Sequence, residues 1–303
     1  MKISICIPVY NGAMTITALV EEVKKTLHKY EFEIILINDG SKDNSEEVCV
    51  NITKQYDFVK FIALRKNFGE HNAVICGLNY ATGDYTVIID DDFQNPPSEI
   101  LALIDEANKG YDVVYSRYEE KKHHWFRNLG SKFNDLVATW LLDKPNGLYL
   151  SSFKLIRKEV VEEIVKYKGP FPYIDGLILR VTDNIGTKTV EHTKRVEGES
   201  NYTLSKLISL WLNMFVNFSI KPLRIATVVG VAISVCSFIL GIYFIVEKLL
   251  LPDASLGWTS LMVSILFLSG IQLIFLGIIG EYLGKQYLDQ NGTPQWVIKK
   301  EYL

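Results

Sequence analysis

Three adjacent carboxylates follow an apolar run in the stretch YTVIIDDDFQNPP, residues 85–97. The apolar part is rich in β-branched residues and shows no polar alternation, which is typical of a parallel strand covered on both faces. The two prolines that close the stretch cannot continue a strand inside a sheet. Because side chains alternate in direction along extended backbone, we expect Asp90 and Asp92 to point one way and Asp91 the other.

These carboxylates are candidates for a metal site. Two carboxylates about 4 Å apart repel by roughly 4 kcal/mol at an effective dielectric of about 20, so the cluster indicates a bound cation or a shifted pKa. Asp90, Asp92 and the nearby amide of Gln94 offer oxygen ligands, which suit Mg²⁺ or Mn²⁺. The alternative is a solvated acidic turn at the end of a strand, and the surrounding elements decide between the two.

Strands and helices alternate through the first part of the chain. Strands are predicted at 3–9, 33–37, 59–64, 85–89 and 113–115, and helices at 15–29, 45–55, 71–80 and 98–108. This order predicts a mostly parallel α/β sheet with right-handed crossovers, in which ligands bind beyond the carboxyl ends of the strands. Polar segments follow the predicted strands in turn: YNG, NDGSKDNS, RKNFGEHN, DDDFQ and SRY. Their shared location favours a binding site over an isolated acidic turn.

The composition limits the classes of protein to which the chain can belong. Its 303 residues suffice for one large domain or two small ones, and the net charge of −3 provides no basic field for a nucleic acid. The four cysteines form no CxxC pair, which disfavours a zinc site or a disulfide framework and suits a reducing compartment. The N-terminal apolar run is short and interrupted by Pro8, unlike a signal peptide, so we expect the N-terminal part to stay in the cytoplasm.

Two uncharged apolar stretches, at about 225–246 and 258–279, are long enough to span a bilayer. The connection between them is short, so they predict a transmembrane hairpin rather than two buried helices of a soluble core. Lys221 and Arg224 precede the first stretch and Lys285 follows the second, whereas only Lys248 lies in the connection. The positive-inside rule therefore places both ends of the hairpin in the cytoplasm.

The segment just before the hairpin is amphipathic. Between residues 202 and 220, apolar side chains recur at helical spacing on one face, and serines and asparagines lie largely elsewhere. Its position next to a membrane span favours an interfacial helix over a buried one.

The segments IPVYN, INDGSKDNS, RKNFGEHNAVICGLNYATGDY and IDDDFQNPPSEI resemble family 2 glycosyltransferases with a GT-A fold. RVEGESNYTLSKLISL, KPLR and GEYLGKQY extend the resemblance to the bacterial polyprenyl-phosphate glycosyltransferases, which include bactoprenol glucosyltransferases and the undecaprenyl-phosphate aminoarabinose (formamido) transferase. Together with the patterns above, the resemblance implies four regions. These are a cytoplasmic GT-A domain at 1–200, a juxtamembrane amphipathic helix at 201–221, a transmembrane hairpin at 222–281 and a cytoplasmic tail at 282–303.

The resemblance also implies roles for residues of the donor site. Asp39 matches the carboxylate that reads the uracil or guanine edge of the donor, and Pro8, Tyr10 and Asn11 line the same pocket. Asp90 and Asp92 match the catalytic carboxylates, which with Gln94 hold the metal and the donor diphosphate. Asp91 is assigned to the donor site at a position that relatives often fill with alanine.

Four further residues match positions that hold the lipid phosphate in related enzymes: Arg117, Arg127, Ser131 and Lys154. For the two arginines, a surface salt bridge is the alternative. The match around Lys154 is loose, because relatives usually carry GDFRL where this chain reads SSFKL, so lysine replaces arginine and the Gly-Asp pair is missing. Asp175 is interpreted either as a sugar contact or as a helix cap.

The resemblance predicts transfer of a sugar from a nucleotide sugar, UDP-linked rather than GDP-linked, to polyprenyl (undecaprenyl) phosphate in a single inverting displacement that requires Mg²⁺ or Mn²⁺. The enzyme is expected to be a multi-pass protein of the bacterial inner membrane and a homo-oligomer, a tetramer by resemblance. One alternative is another membrane acceptor, such as a lipid-linked saccharide or diacylglycerol, for which a base near Asp175 would be needed. The other is a membrane scaffold or flippase partner without catalysis, which the intact carboxylates disfavour.

Overall fold

The computed structural model describes residues 1–118, 139–140, 144–191, 219–250 and 257–303. The strands are β1 (Lys2–Val9), β2 (Glu31–Asn38), β3 (Val59–Leu64), β4 (Tyr85–Ile88), β5 (Val113–Tyr118), β6 (Lys154–Arg157), β7 (Ile185–Val190) and β8 (Ile298–Tyr302). The helices are α1 (Ile16–Thr26), α2 (Ser45–Gln55), α3 (Glu70–Leu78), α4 (Glu99–Ala107), α5 (Lys158–Ile164), α6 (Ile174–Val181), α7 (Lys221–Leu250) and α8 (Trp258–Gln290).

The described strands form one sheet in the order β7-β5-β6-β4-β1-β2-β3-β8. The pairs β1–β2, β1–β4, β2–β3 and β5–β7 are parallel, whereas β6 and β8 run antiparallel to their neighbours. The prediction of a mostly parallel α/β sheet is therefore confirmed. The predicted β3 and α2 have the observed bounds, and the other predicted strands and helices differ from the observed ones by a few residues at their ends.

Helices cover the sheet because each presents one apolar face. In α1, Ile16, Leu19, Val20 and Val23 recur at helical spacing and are buried. All residues of β4 are buried, as expected for a strand covered on both sides. The carboxylates that follow β4 thus begin where the buried part of the strand ends.

The chain divides into two compact units, one formed by residues 1–204 with 293–303 and the other by residues 205–292. In the second unit, α7 and α8 contain the two candidate spans of the described residues, Lys221–Glu247 and Leu261–Gln290, with mean hydropathies of 2.5 and 2.4 and no buried share. Such bare apolar helices are what a bilayer would cover. The predicted juxtamembrane helix lies largely outside the described residues.

The last residues of the chain belong to the eight-stranded sheet, where the sequence predicts only a tail. β8 pairs with β3, and the Tyr302 ring packs on Phe61 with centroids 6.2 Å apart. Tyr80 donates a hydrogen bond from its hydroxyl to Glu301 at 2.9 Å. β8 therefore covers the edge of β3.

Candidate active site

The carboxyl ends of β1, β2, β3 and β4 lie at one edge of the sheet, and the turns that follow them contact one another. The backbone N–H of Asn11 donates to Ser41 Oγ at 2.9 Å, and that of Lys42 donates to Asn11 Oδ1 at 2.8 Å. Asn11 adopts a left-handed conformation, φ 56°, which asparagine tolerates better than most residues. The prediction that the polar segments after the strands cluster is confirmed for these turns.

Asp39 connects the turn after β2 to the turn after β3. It is 3% exposed, and its two oxygens accept the backbone N–H groups of Phe68 at 2.7 Å and Gly69 at 2.9 Å. Burial raises the pKa of the Asp39 carboxyl, and these two hydrogen bonds oppose that shift. Gly40 has φ +64°, and a Cβ there would lie 2.4 Å from the carbonyl carbon of Lys66, so the close approach of the turns requires glycine.

The predicted base pocket begins at the end of β1. Pro8 lies in β1 opposite Ile37, and Tyr10 is 39% exposed just beyond the strand. An exposed aromatic ring at this edge can stack on a nucleobase. Base reading by Asp39, Pro8, Tyr10 and Asn11 stays a prediction.

Asp90 and Asp91, which follow β4, bond to different elements, in agreement with their predicted opposite directions; the predicted direction of Asp92 stays a prediction. Asp90 Oδ2 accepts a hydrogen bond from Ser152 Oγ at 2.6 Å. Asp91 Oδ2 instead faces the turn after β1, where it accepts the backbone N–H of Tyr10 at 3.4 Å. A Cβ at Gly12 would lie 2.1 Å from that oxygen, so a larger residue there would displace the Asp91 carboxylate from its present position. Asp92 Oδ1 accepts the backbone N–H of Gln94 at 3.0 Å.

Burial, and to a smaller extent repulsion between carboxylates, raises the pKa values of Asp90 and Asp91. Desolvation, followed by the negative charge of Glu70 and that of Asp92, raises the pKa of Asp90 to about 7, although Ser152 and Lys154 oppose the shift. Desolvation raises the pKa of Asp91 to about 7 as well, with smaller contributions from Asp90 and Asp92. A cation bound here would relieve this repulsion.

The donor set fits a hard divalent ion. Among the described residues, no three His, Cys, Asp or Glu side chains form a cluster that could hold a metal by themselves. Two carboxylates and an amide leave coordination positions for water and substrate oxygens, the arrangement that Mg²⁺ favours over a cage made only of protein ligands.

Glu70 and His71 lie next to this site, although the sequence assigns them no role. Glu70 is the first residue of α3. Desolvation raises its pKa against the opposing charge of Lys154, and the carboxylates of Asp175, Asp92 and Asp39 add to the rise. Desolvation also lowers the pKa of His71 to about 4, so this imidazole is neutral at pH 7. The only sequence signal was their position in the polar segment after β3.

Lys154 and Asp175 form a buried ion pair beside the carboxylates. They are 3% and 6% exposed, and Tyr115 donates its hydroxyl hydrogen to Asp175 Oδ1 at 2.8 Å. Lys154 Nζ lies 4.9 Å from the centroid of the Tyr115 ring. The helix-cap interpretation of Asp175 is wrong, because Tyr173 occupies the N-cap of α6 and Asp175 lies in the first turn. The acceptor-phosphate role of Lys154 stays a prediction.

The other predicted acceptor residues are only partly described. Arg117 is exposed near the end of β5. Arg127 and Ser131 lie outside the described residues. Their roles therefore stay predictions.

The two serines that replace the Gly-Asp pair both make hydrogen bonds. Ser151 Oγ accepts a hydrogen bond from Ser116 Oγ at 2.7 Å and lies 2.9 Å from the Tyr118 hydroxyl. Tyr118 in turn donates to Asn95 Oδ1 at 2.7 Å. Together with the bond from Ser152 to Asp90, these contacts join the segment before β6 to the loop that carries the carboxylates.

Comparison with known proteins agrees with this architecture. Residues 4–165 match the family Glycosyl transferase family 2, and residues 221–285 match the GtrB C-terminal hairpin. The undecaprenyl-phosphate 4-deoxy-4-formamido-L-arabinose transferase of Proteus mirabilis is 33% identical, over 99% of this chain and 93% of the relative. The SfII prophage-derived bactoprenol glucosyl transferase of Shigella flexneri is 33% identical, over 100% and 99%.

Solved structures share the fold of the catalytic unit. The glucosyl-3-phosphoglycerate synthase of Mycobacterium tuberculosis, crystallised with Mn²⁺, UDP and phosphoglyceric acid, superposes with a TM-score of 0.53 at 18% identity. The match covers 71% of this chain and 78% of the synthase. The family match at residues 4–165 includes the carboxylates after β4, and the two relatives aligned over nearly the whole chain are named as transferases. This chain therefore belongs to glycosyl transferase family 2 and is a glycosyltransferase with a GT-A fold.

Proposed function

We propose that the chain transfers a sugar from a nucleotide sugar, UDP-linked rather than GDP-linked, to polyprenyl phosphate such as undecaprenyl phosphate. The observation that carries the proposal is that a catalytic unit with strand-end carboxylates and a GtrB-type hairpin of bare apolar helices occur in one chain. Relatives aligned over almost the whole chain are named for undecaprenyl phosphate and bactoprenol. A membrane-bound transferase can meet a lipid carrier that never leaves the bilayer.

We assign the metal site to Asp90, Asp92 and Gln94, with Mg²⁺ or Mn²⁺ as the ion. Support comes from the raised pKa of Asp90 and from the Mn²⁺ and UDP bound by the Mycobacterium tuberculosis synthase. When bound, such an ion supplies Lewis-acid neutralisation of the charge that develops on the departing nucleotide diphosphate.

The reaction is a single displacement at the anomeric carbon. An oxygen of the lipid phosphate attacks that carbon, a new carbon–oxygen bond forms, and the bond to the diphosphate breaks, so the nucleotide diphosphate leaves with the electron pair. Asp90 and Asp92 would hold the divalent ion, which would in turn bind the diphosphate end of the donor, and Tyr10 and Asp39 hold its base. Arg117 and Arg127 orient the acceptor phosphate through charge-assisted hydrogen bonds. The anomeric configuration is inverted.

The environment of Asp175 favours a phosphate acceptor over a hydroxyl acceptor. A hydroxyl nucleophile needs a general base, whereas a lipid phosphate is already anionic at neutral pH. Asp175 Oδ1 is already bonded to both Lys154 and Tyr115, and the residue is only 6% exposed, so this carboxylate is not open to an incoming hydroxyl. The lowered pKa of His71 makes that side chain a weak base.

We place the enzyme in the bacterial inner membrane, with its catalytic unit in the cytoplasm. The chain leaves the catalytic unit before α7 and rejoins its sheet at β8, so an even number of crossings must lie between. The cationic residues flanking the hairpin agree with this orientation. Assembly as a homo-oligomer, a tetramer by resemblance, is a further prediction.

The test is incubation of membranes containing the enzyme with undecaprenyl phosphate and a panel of UDP- and GDP-sugars, followed by mass spectrometry of the lipid fraction. A glycosyl-phosphoryl-undecaprenol that forms only with the wild type and not with Asp92→Asn is expected. A product formed on diacylglycerol or on a lipid-linked saccharide would show that the proposed acceptor is wrong.

A further inference from the structure

We propose that Ser152 and Tyr118 are positioning residues whose hydroxyls fix the two ends of residues 90–95, called here the metal loop. The inference rests on the proposed function, since it assumes that Asp90 and Asp92 bind the metal. It goes further in assigning the geometry of that site to hydroxyls from the segments around β5 and β6.

The first anchor follows from strand register. β6 runs antiparallel to β4, and Tyr85 pairs with Arg157 and Ile88 with Lys154. Continued by two residues, this register places Ser152 directly opposite Asp90. The hydroxyl of Ser152 donates to Asp90 Oδ2 at 2.6 Å, which holds the carboxylate in one rotamer. A serine can donate this bond, whereas an aspartate at the same position would place a second negative charge against Asp90.

The second anchor lies at the other end of the loop. Asn95 is 3% exposed, and its Oδ1 accepts the hydroxyl of Tyr118 at 2.7 Å. The same hydroxyl lies 2.9 Å from Ser151 Oγ, which also accepts a hydrogen bond from Ser116 at 2.7 Å. Because Ser116 and Tyr118 flank Arg117 on β5, the strand that holds this network also carries a predicted acceptor residue.

The backbone between the anchors needs such support. Phe93 has φ 57°, a left-handed conformation that a non-glycine residue keeps only when its surroundings impose it. Asp92 lies next to it and is held by the backbone N–H of Gln94. Hydroxyl anchors at both ends therefore preorganise the carboxylates for the ion.

The test measures Mn²⁺ binding to the purified full chain in detergent, by electron paramagnetic resonance and calorimetry, in the absence of donor and acceptor. Loss of one hydrogen bond to the Asp90 carboxylate in Ser152→Ala should weaken Mn²⁺ binding by about tenfold or more, and Tyr118→Phe by about threefold or more. Ser152→Thr keeps a hydroxyl and should restore most of the affinity.

The matched control is Ser98→Ala, which removes an exposed hydroxyl that caps nothing at the start of α4 and should bind Mn²⁺ like the wild type. Thermal unfolding of each variant checks that the fold is intact. Unchanged Mn²⁺ affinity in Ser152→Ala and Tyr118→Phe, with normal binding by the wild type, would overturn this inference alone. A wild type that binds no Mn²⁺, or an Asp92→Asn variant that binds it normally, would overturn the proposed metal site and this inference with it.

Discussion

Acidic residues have different surroundings at the two ends of the sheet. Glu33 lies near the start of β2, away from the carboxylates after β4, and is 4% exposed. It accepts hydrogen bonds from the Ser4 hydroxyl at 2.6 Å and from the backbone N–H of Thr82 at 2.7 Å, and it pairs with Lys60 at 3.0 Å. Among the described residues, Asp90 has one such donor, the Ser152 hydroxyl, and the negative neighbours that shift its pKa outnumber the positive ones. The satisfied carboxylate is expected to stabilise the fold, and the crowded one to bind a cation.

Asp92→Asn should abolish sugar transfer without unfolding the protein. The substitution removes a negative charge from the proposed metal site, and the residue is half-buried beyond the strand rather than in the core. Transfer to the lipid should also stop after exhaustive EDTA treatment and return with Mg²⁺ or Mn²⁺. Full activity of the chelated wild type would contradict the metal requirement, and circular dichroism checks the fold of the variant.

Glu33→Gln should lower the stability of the catalytic unit in a pH-dependent way. Burial alone would raise the pKa of Glu33, but hydrogen bonds from Ser4, Thr82 and Lys60 outweigh it and lower the pKa from 4.5 to about 2. Because the folded pKa is the lower one, this stabilisation is present above about 4.5 and is lost as the pH falls towards 2. The shift corresponds to about 3 kcal/mol of the free energy of unfolding at pH 7. Melting temperatures of wild type and variant should differ most at pH 7, differ less as the pH falls below about 4.5, and converge near pH 2; an equal difference at pH 7 and pH 2 would contradict the linkage.

Arg117→Ala and Arg127→Ala should each raise the apparent KM for the lipid phosphate. An arginine can donate two charge-assisted hydrogen bonds to a phosphate, and losing such a contact weakens binding by roughly tenfold to a hundredfold. Donor affinity, measured by calorimetry, should change little, since the donor pocket is assigned to Asp39 and Asp90. If donor affinity collapses while the lipid KM stays unchanged, the arginine belongs to the donor site. If neither changes, it is a surface salt-bridge residue.

At the scale of elements, β8 protects the sheet edge. Its backbone pairs with β3, and the backbone N–H of Arg65 donates to the carbonyl of Val297 at 2.9 Å. Lys299 and Lys300 also pair with Glu46 of α2, at 2.8 and 3.2 Å, but these side chains are solvated and should contribute little.

Deletion of residues 298–303 should therefore lower the melting temperature of the full chain and promote aggregation, because it exposes the edge of β3 and uncovers Phe61. The matched control is the Lys299→Ala, Lys300→Ala double variant, which keeps the backbone pairing and should melt within a few degrees of the wild type. A deletion that melts like the wild type and stays monodisperse would show that β8 is dispensable.

At the scale of the whole molecule, the proposed topology makes the connection between the spans extracytoplasmic. In a Cys236→Ala background, the remaining cysteines, Cys6, Cys49 and Cys76, are buried and shielded from reagent. A membrane-impermeant maleimide added to intact cells should then label Ser255→Cys and not Leu303→Cys. Labelling of the C-terminal cysteine without labelling of the connection would reverse the orientation.

The sequence by itself determined those features that depend on neighbours along the chain. The uninterrupted apolar run of β4, the helical spacing in α1 and the uncharged spans of α7 and α8 are local patterns, and each predicted the element that forms. The order of strands and helices predicted the mostly parallel sheet and the edge at which the polar turns meet. Alternation along extended backbone also predicted that Asp90 and Asp91 face different sides.

Only the tertiary structure decided which distant side chains meet. Ser152 lies 62 positions from Asp90, and Tyr80 lies 221 positions from Glu301, so no local pattern could reveal either hydrogen bond. The antiparallel entry of β6 next to β4 placed Ser152 opposite Asp90, and brought Lys154 to Asp175 of α6. Periodicity predicts which face of an element is buried, whereas the register between strands far apart in sequence decides which side chains share the site.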